Sequence, residues 1–170
     1  MRTPNEDISE NFIKTYDELA DPLYRRFCFR LSNRERSKEL VQETFTRSWE
    51  YLVEGKEIKN LKSFIYKIAN NLIIDEYRKK KSVSLDVMRD DGFDVSTEVD
   101  GHESIVKQAE TEHMRKAIDQ LPPKYREIVV MRYIDGLTLG EISAILGETE
   151  NTVSVRINRS IKKIQDLLKI

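Results

Sequence analysis

The chain has little of what cross-linked, turn-rich or membrane-spanning proteins depend on. Its 170 residues include one cysteine, Cys28, so no internal disulfide can form and a reducing compartment fits. That thiol is expected to be a buried, apolar one. Glycine and proline number six and four, while Leu, Ile, Lys and Glu abound, a balance that favours helices throughout. No apolar run approaches the ~20 residues that span a bilayer, so no membrane insertion is expected. The opening MRTPNEDISE has neither the basic flank nor the apolar stretch of a signal peptide, and a cytoplasmic location is expected. Only two histidines occur, His102 and His113, and no glycine-rich phosphate loop is present. With one cysteine beside them they make no triad and no metal cluster. The expectation is a protein that is not an enzyme and holds neither a cofactor nor a metal.

What is present in quantity is charge, unevenly placed. Residues 1–81 carry 17 Lys/Arg against 14 Asp/Glu, and residues 113–170 carry 10 against 7. Between them, residues 82–112 carry 2 against 9, a charge of −7. The overall −1 therefore conceals two mildly basic blocks around an acidic one. Residues 82–112 also lack sustained periodicity and collect Asp, Ser, Thr, Gly92 and Gly101. A stretch of that kind reads as a flexible acidic linker. Asp86, Asp90, Asp91, Asp94 and Asp100 supply much of its charge and would suit a positively lined channel.

The first basic block reads as helices. Phe12, Tyr16, Leu19, Leu23, Phe27 and Leu31 recur at three- and four-residue intervals. Asp21-Pro22 suits an N-cap followed by a first helical turn, so a break is expected there. After Ser32-Asn33, positions Leu40, Val41, Phe45, Trp49 and Leu52 mark a helix over about residues 35–53. Asn60 can cap a third, with Leu61, Phe64, Ile65, Ile68, Leu72 and Ile73 on one side and Arg78-Lys79-Lys80-Lys81 at its end. The second basic block starts near Glu112 with a short helix through Leu121. Pro122-Pro123 opens another, which stops at Gly136.

The clearest local signal lies in residues 138–169. Thr138-Leu139-Gly140-Glu141 has the form of a capping box, in which threonine and glutamate satisfy each other's backbone amides. Ser143 is small where a neighbouring helix must approach, Gly147 suits a turn needing positive φ, and Thr149 can cap the next helix. At ~100° per residue, Val153, Ile157, Ile161, Ile164 and Leu168 gather on one face of that helix. Thr152, Arg156, Arg159, Lys162 and Lys163 gather nearly opposite. A helix-turn-helix with such a basic face fits the major groove. Val155 adds an apolar side chain suited to a thymine methyl. The fold class expected is all-α, with two small helical domains and the C-terminal one a helix-turn-helix.

These motifs together resemble a known family. Leu121-Pro122-Pro123-Lys124-Tyr125-Arg126-Glu127 through Arg159 is similar to region 4 of sigma factors, and Glu39-Leu40-Val41-Gln42-Glu43-Thr44-Phe45 resembles the polymerase-binding motif of region 2. Ile68-Ala69-Asn70-Asn71-Leu72 with Asp75 and Arg78–Lys81 resembles the helix that reads the downstream, melted promoter element. Order and spacing match the short extracytoplasmic-function sigma factors. The resemblance implies a promoter-directing subunit of RNA polymerase, with core polymerase, promoter DNA and an anti-sigma protein as partners. It assigns core binding to Glu39, Leu40, Gln42 and Glu43. Downstream reading falls to Lys56, Asn60, Asn71, Asp75, Arg78, Lys79, Lys80 and Lys81, and upstream reading to Thr152, Val155, Arg156, Arg159, Lys162 and Lys163. Residues 1–81 would be the region 2-like domain and 113–170 the region 4-like one. The chain departs from the family pattern at Phe64, where tryptophan is usual, and at Ser154-Val155, where Lys or Arg and then Ser are usual. A DNA-binding regulator with an unrelated N-terminal domain is the main rival, and it would have no need of the 39–45 motif.

Overall fold

The structure is a computed structural model that describes residues 4–84 and 102–169. These are helical almost throughout: α1 (Pro4–Leu31), α2 (Arg34–Val53), α3 (Leu61–Ser84), α4 (His102–Gln120), α5 (Pro123–Val129) with a π-turn at Val130–Ile134, α6 (Leu139–Leu146) and α7 (Glu150–Leu168). The chain divides into two compact units, Met1–Gly92 and Phe93–Ile170.

In the first unit α1, α2 and α3 pack pairwise around one core. Leu19, Leu23, Phe27 and Leu31 of α1 meet Leu40, Val41 and Phe45 of α2 and Ile65, Tyr66, Leu72 and Ile73 of α3, all buried. The expected break at Asp21-Pro22 is absent: α1 runs through with Pro22 inside it. An interior proline costs roughly 3 kcal/mol. Here the apolar stripe continues in four-residue steps on both sides of Pro22, and burying Leu19, Leu23 and Phe27 on one continuous helix offsets that cost. Asn33 caps α2, its side chain accepting from the Arg36 amide. Asn60 caps α3, with Oδ1 2.9 Å from the Ser63 amide. The buried hydroxyls on α2 donate one turn back, Thr44 to the Leu40 carbonyl at 2.6 Å and Ser48 to that of Thr44 at 2.7 Å. Buried Arg26 lies over the Tyr66 ring at 5.7 Å and donates to Asn70 Oδ1. Cys28 is half-buried rather than enclosed.

Both edges of the expected linker shift inward. α3 runs on to Ser84, and α4 begins at His102, ten residues before the expected start at Glu112. The sequence there, HESIVKQAETE, is rich in helix formers, so intrinsic propensity extends the helix where no apolar periodicity announces it. Asp86, Asp90, Asp91, Asp94 and Asp100, and the channel-threading role expected of them, lie outside the described residues.

In the second unit α7 packs against α4, α5 and α6. Ile128, Val129, Val130 and Met131 are four consecutive buried residues. They straddle the junction of α5 with the π-turn, where one extra residue per turn replaces the expected plain helix to Gly136. A change of one residue in register leaves no trace in a periodicity count. Arg126 Nη2 donates to the Asp119 and Leu121 carbonyls at 2.6 and 3.0 Å, closing the end of α4 onto α5. Arg132 does the same for the Leu137 carbonyl at 2.8 Å beyond the π-turn.

Candidate functional sites

The α2 ridge combines exposed and paired carboxylates. Glu39 and Gln42 are exposed and Glu43 is half-buried. Arg36 sits among them, 2.7 Å from Glu39, 3.9 Å from Glu43 and 2.6 Å from Glu76 of α3. Arg47 holds Glu43 from the other side at 2.6 Å. The hydrogen bond from Arg36 keeps the Glu76 carboxyl below the usual glutamate range, against the opposing effect of its burial. The ridge is therefore a partly compensated ionic surface rather than a bare acidic one. Leu40 does not belong to it: its relative exposure is 0%. It fills the three-helix core where α2 packs on α1 and α3. Of the residues the resemblance assigns to core binding, Glu39, Gln42 and Glu43 thus reach the surface and the Leu40 side chain does not.

The residues expected at the downstream element fall into two groups. Near the loop after α2, Lys56 lies 4.7 Å from the Tyr51 ring centre and pairs with Glu54. Tyr51 in turn packs on Phe64 at 4.6 Å between centroids. This makes a small cation–aromatic cluster beside Asn60, whose side chain is occupied by the cap. Tyr66 is fully buried and offers no stacking surface. Along α3, Lys67, Asn71, Ile74 and Arg78 stand exposed at four-, three- and four-residue steps, one continuous stripe. Asp75 pairs loosely with Arg78 at 3.8 Å. Lys79 lies 3.5 Å from Glu76, Lys80 donates to the Leu31 carbonyl at 3.4 Å, and Lys81 is exposed. Lys67 and Ile74 escaped the sequence reading. Ile74, 47% exposed in a basic stripe, could have been found by projecting α3 as α7 was projected.

The helix-turn-helix has the expected skeleton. Both halves of the capping box form: Glu141 N–H donates to Thr138 Oγ1 at 3.2 Å, and Thr138 N–H donates to Glu141 Oε2 at 2.8 Å. Gly147 takes φ 68° at the turn, and the Thr149 side chain accepts from the Thr152 amide. Ser143 is half-buried on α6. Its hydroxyl donates 2.6 Å to the Glu148 carbonyl and so ties α6 to the turn. At Gly140 a Cβ would lie 3.3 Å from Glu150 Oε1, the end of a flexible side chain.

On α7, Val153, Ile157, Ser160 and Ile164 are buried. Thr152, Val155, Arg159 and Lys162 form an exposed stripe opposite them. Asn151 and Asn158, which the reading passed over, are exposed beside that stripe. Among the described residues no ion pair engages Arg159 or Lys162. The other two cations differ. Arg156 donates through Nη2 to both carboxylate oxygens of Glu148, each at 2.6 Å. Lys163 lies 5.3 Å from the Tyr125 ring centre, which Lys124 also approaches at 5.0 Å. Among the described residues no group of three or more His, Cys, Asp or Glu could hold a metal ion. No helix among them is long and apolar enough to cross a membrane.

Known proteins match both units. Residues 16–83 match the Sigma-70 region 2 family and residues 112–164 the Sigma-70, region 4 family. The ECF RNA polymerase sigma factor SigW of Bacillus subtilis is 30% identical over 167 residues, 93% of this chain and 89% of that protein. Among solved structures, CnrH in complex with the cytosolic domain of CnrY aligns with a TM-score of 0.67 at 20% identity, covering 95% of this chain and 89% of that one. The sigma factor RpoE of Bartonella quintana, in complex with the anti-sigma factor NepR, aligns with a TM-score of 0.65 at 21% identity, covering 97% and 98%. These likenesses carry the fold, while the sequence matches carry the family. Two sigma-70 regions in order, with a 30% identical relative matched along most of its length, place this chain among the ECF RNA polymerase sigma factors.

Proposed function

We propose that the chain directs RNA polymerase to a promoter by a division of labour between its two helical units, and that it carries out no catalysis itself. Residues 1–81 form the half that binds core polymerase and reads the downstream element; residues 113–170 form the half that reads the upstream one. Core polymerase docks on Glu39, Gln42 and Glu43. The α3 stripe with Lys56, Asn60, Asn71, Asp75 and Arg78–Lys81 lies against the downstream element. Thr152, Val155, Arg156 and Arg159 address bases upstream, and Lys162 and Lys163 address phosphates. An anti-sigma protein holds the chain inactive, a reading supported by the complex from which the Bartonella quintana neighbour comes. The setting for all of this is the cytoplasm.

The observation that carries the reading is the exposed, cation-bearing stripe of α7 facing away from buried Val153, Ile157 and Ile164 in a capped helix-turn-helix. Purified chain added to core polymerase on a library of promoter fragments, with transcript starts sequenced, is the direct test. Starts should cluster at promoters sharing one upstream and one downstream element. Starts no different from those of core polymerase alone would end the reading.

A further inference from the structure

Arg156 differs from its neighbours on α7 in being tied to an acid of the turn. Its Nη2 lies 2.6 Å from Oε1 and 2.6 Å from Oε2 of Glu148, with the two side chains 22% and 29% exposed. Glu148 is itself fixed. Its amide donates to the Ser143 carbonyl at 3.1 Å, and its carbonyl accepts the Ser143 hydroxyl at 2.6 Å. It stands between left-handed Gly147 and the cap residue Thr149. The carboxylate is thus mounted on the turn, and the guanidinium is held by the part of the motif that sets where α7 begins.

A guanidinium carries five donors in a rigid fork. Glu148 engages one nitrogen, and no other protein group among the described residues engages Nε or Nη1. Three N–H donors on two nitrogens therefore remain on a side chain whose freedom is already restricted. The charge balance matters as much. An arginine paired with a carboxylate adds little to the counterion release that drives attraction to DNA, and the carboxylate beside it repels phosphates. A pair of this kind is poorly suited to phosphate gripping and well suited to reading guanine O6 and N7, where orientation decides.

We propose that Glu148 is a positioning residue that presets Arg156 to read one base pair of the upstream element, so that the pair contributes selectivity rather than affinity. The inference rests on the assignment of α7 to upstream recognition. It predicts an unusual signature: removing the acid should loosen base preference while strengthening attachment to unrelated DNA.

The test uses the full chain bound to core polymerase, a promoter library randomised in the upstream element, and a scrambled duplex at several salt concentrations. Arg156→Ala and Glu148→Ala should relax preference at the same base pair, by about 5- to 100-fold for the arginine and less for the glutamate. Glu148→Ala should bind the scrambled duplex more tightly than the parent at low salt, and the double variant should be no less selective than Arg156→Ala alone. Glu148→Gln, which keeps an acceptor, and Arg156→Lys, which keeps charge but not the fork, are companions less prone to disturb the fold. Arg156→Lys should lose the preference and Glu148→Gln should retain part of it. Thermal unfolding accompanies every variant, since a merely structural pair would lower the melting temperature without changing preference at one position. Glu148 variants that leave preference intact, or relax a different base pair from Arg156→Ala, overturn the inference. Arg159→Ala separates the two levels. If it alters upstream preference while Arg156 and Glu148 variants do not, positioning fails and upstream reading by α7 stands. If none of the three alters it, upstream reading by α7 fails and the inference falls with it.

Discussion

The α2 ridge and the α7 stripe both present charge to solvent, but they balance it differently. On α2 the acids are met by cations of the same unit: Arg36 reaches Glu39, Glu43 and Glu76, and Arg47 reaches Glu43. On α7, Arg159 and Lys162 are engaged by no ion pair among the described residues. A compensated ridge exerts little long-range field and must be recognised at contact, by matching hydrogen-bond partners and shape. An uncompensated cationic stripe attracts a polyanion from a distance and does so less as salt rises. The first suits a protein partner with its own ordered charges, and the second suits DNA.

The sharpest way to break this comparison is inside the ridge itself. Leu40→Ala removes a fully buried side chain at the centre of the three-helix core and should cost about 2–5 kcal/mol of stability. Chemical denaturation should register that loss, and core binding should fail with it. Glu43→Lys combined with Gln42→Ala breaks the pairs with Arg36 and Arg47 and should lower the unfolding midpoint far less than Leu40→Ala, while weakening core binding about tenfold, roughly 1.4 kcal/mol. Fluorescence titration of core polymerase separates the two cases. If the Glu43/Gln42 variant bound core as tightly as the parent, the ridge would not be the docking surface.

The stripe is sharpened by setting Arg159 against Lys162. Arg159→Ala should cost ~1–3 kcal/mol on the preferred upstream sequence and relax preference at one base pair. Lys162→Ala should weaken all sequences about equally and reduce the salt dependence by roughly one phosphate contact. Competition binding of the holoenzyme to promoter variants across a salt series measures both. Identical selectivity profiles for the two variants would remove the distinction between base and phosphate contacts on α7.

Much of this is legible in the sequence, for a physical reason. The capping box, Gly147 and the Thr149 cap are local devices, set by residues three to five apart, and all three form. The apolar stripes of α2, α3 and α7 likewise report which side is buried. What the spacing of residues does not show is decided by a distant part of the same unit. Pro22 argues locally for a break, and the continuous core stripe of α1 overrides it. Leu40 lies within a motif that resembles a binding site, yet its direction on α2 sends it inward. Lys163 and Arg156 look alike on a helical wheel, and only the fold gives one an aromatic ring and the other a carboxylate. Partners of that kind, on another helix or on the turn, leave no signature in the spacing of α7.

The smallest expected effect tests the compensation itself. Arg36 holds Glu76, whose side chain is 12% exposed, and the bond keeps that carboxyl below its ordinary value. A carboxylate lowered in the folded state binds its proton less readily there than in the unfolded chain. Its stabilising contribution is therefore complete above the unfolded value of about 4.3, and it is lost as pH falls through the lower folded value. Glu76→Gln should remove this contribution, on the order of 1 kcal/mol at neutral pH, and make the variant's stability less dependent on pH across that acid window. Denaturation midpoints of parent and variant at neutral pH and through the acid range should converge as the acid is protonated. Arg36 would then be left with Glu39 and Glu43, so the same variant also probes the ridge. If pairing with Glu76 restrains Arg36 from saturating those two acids, Glu76→Gln should weaken core binding slightly. Parallel stability curves at every pH would mean that ionised Glu76 adds nothing to the folded state, and that the ridge is organised by the pairs of Arg36 and Arg47 with Glu39 and Glu43.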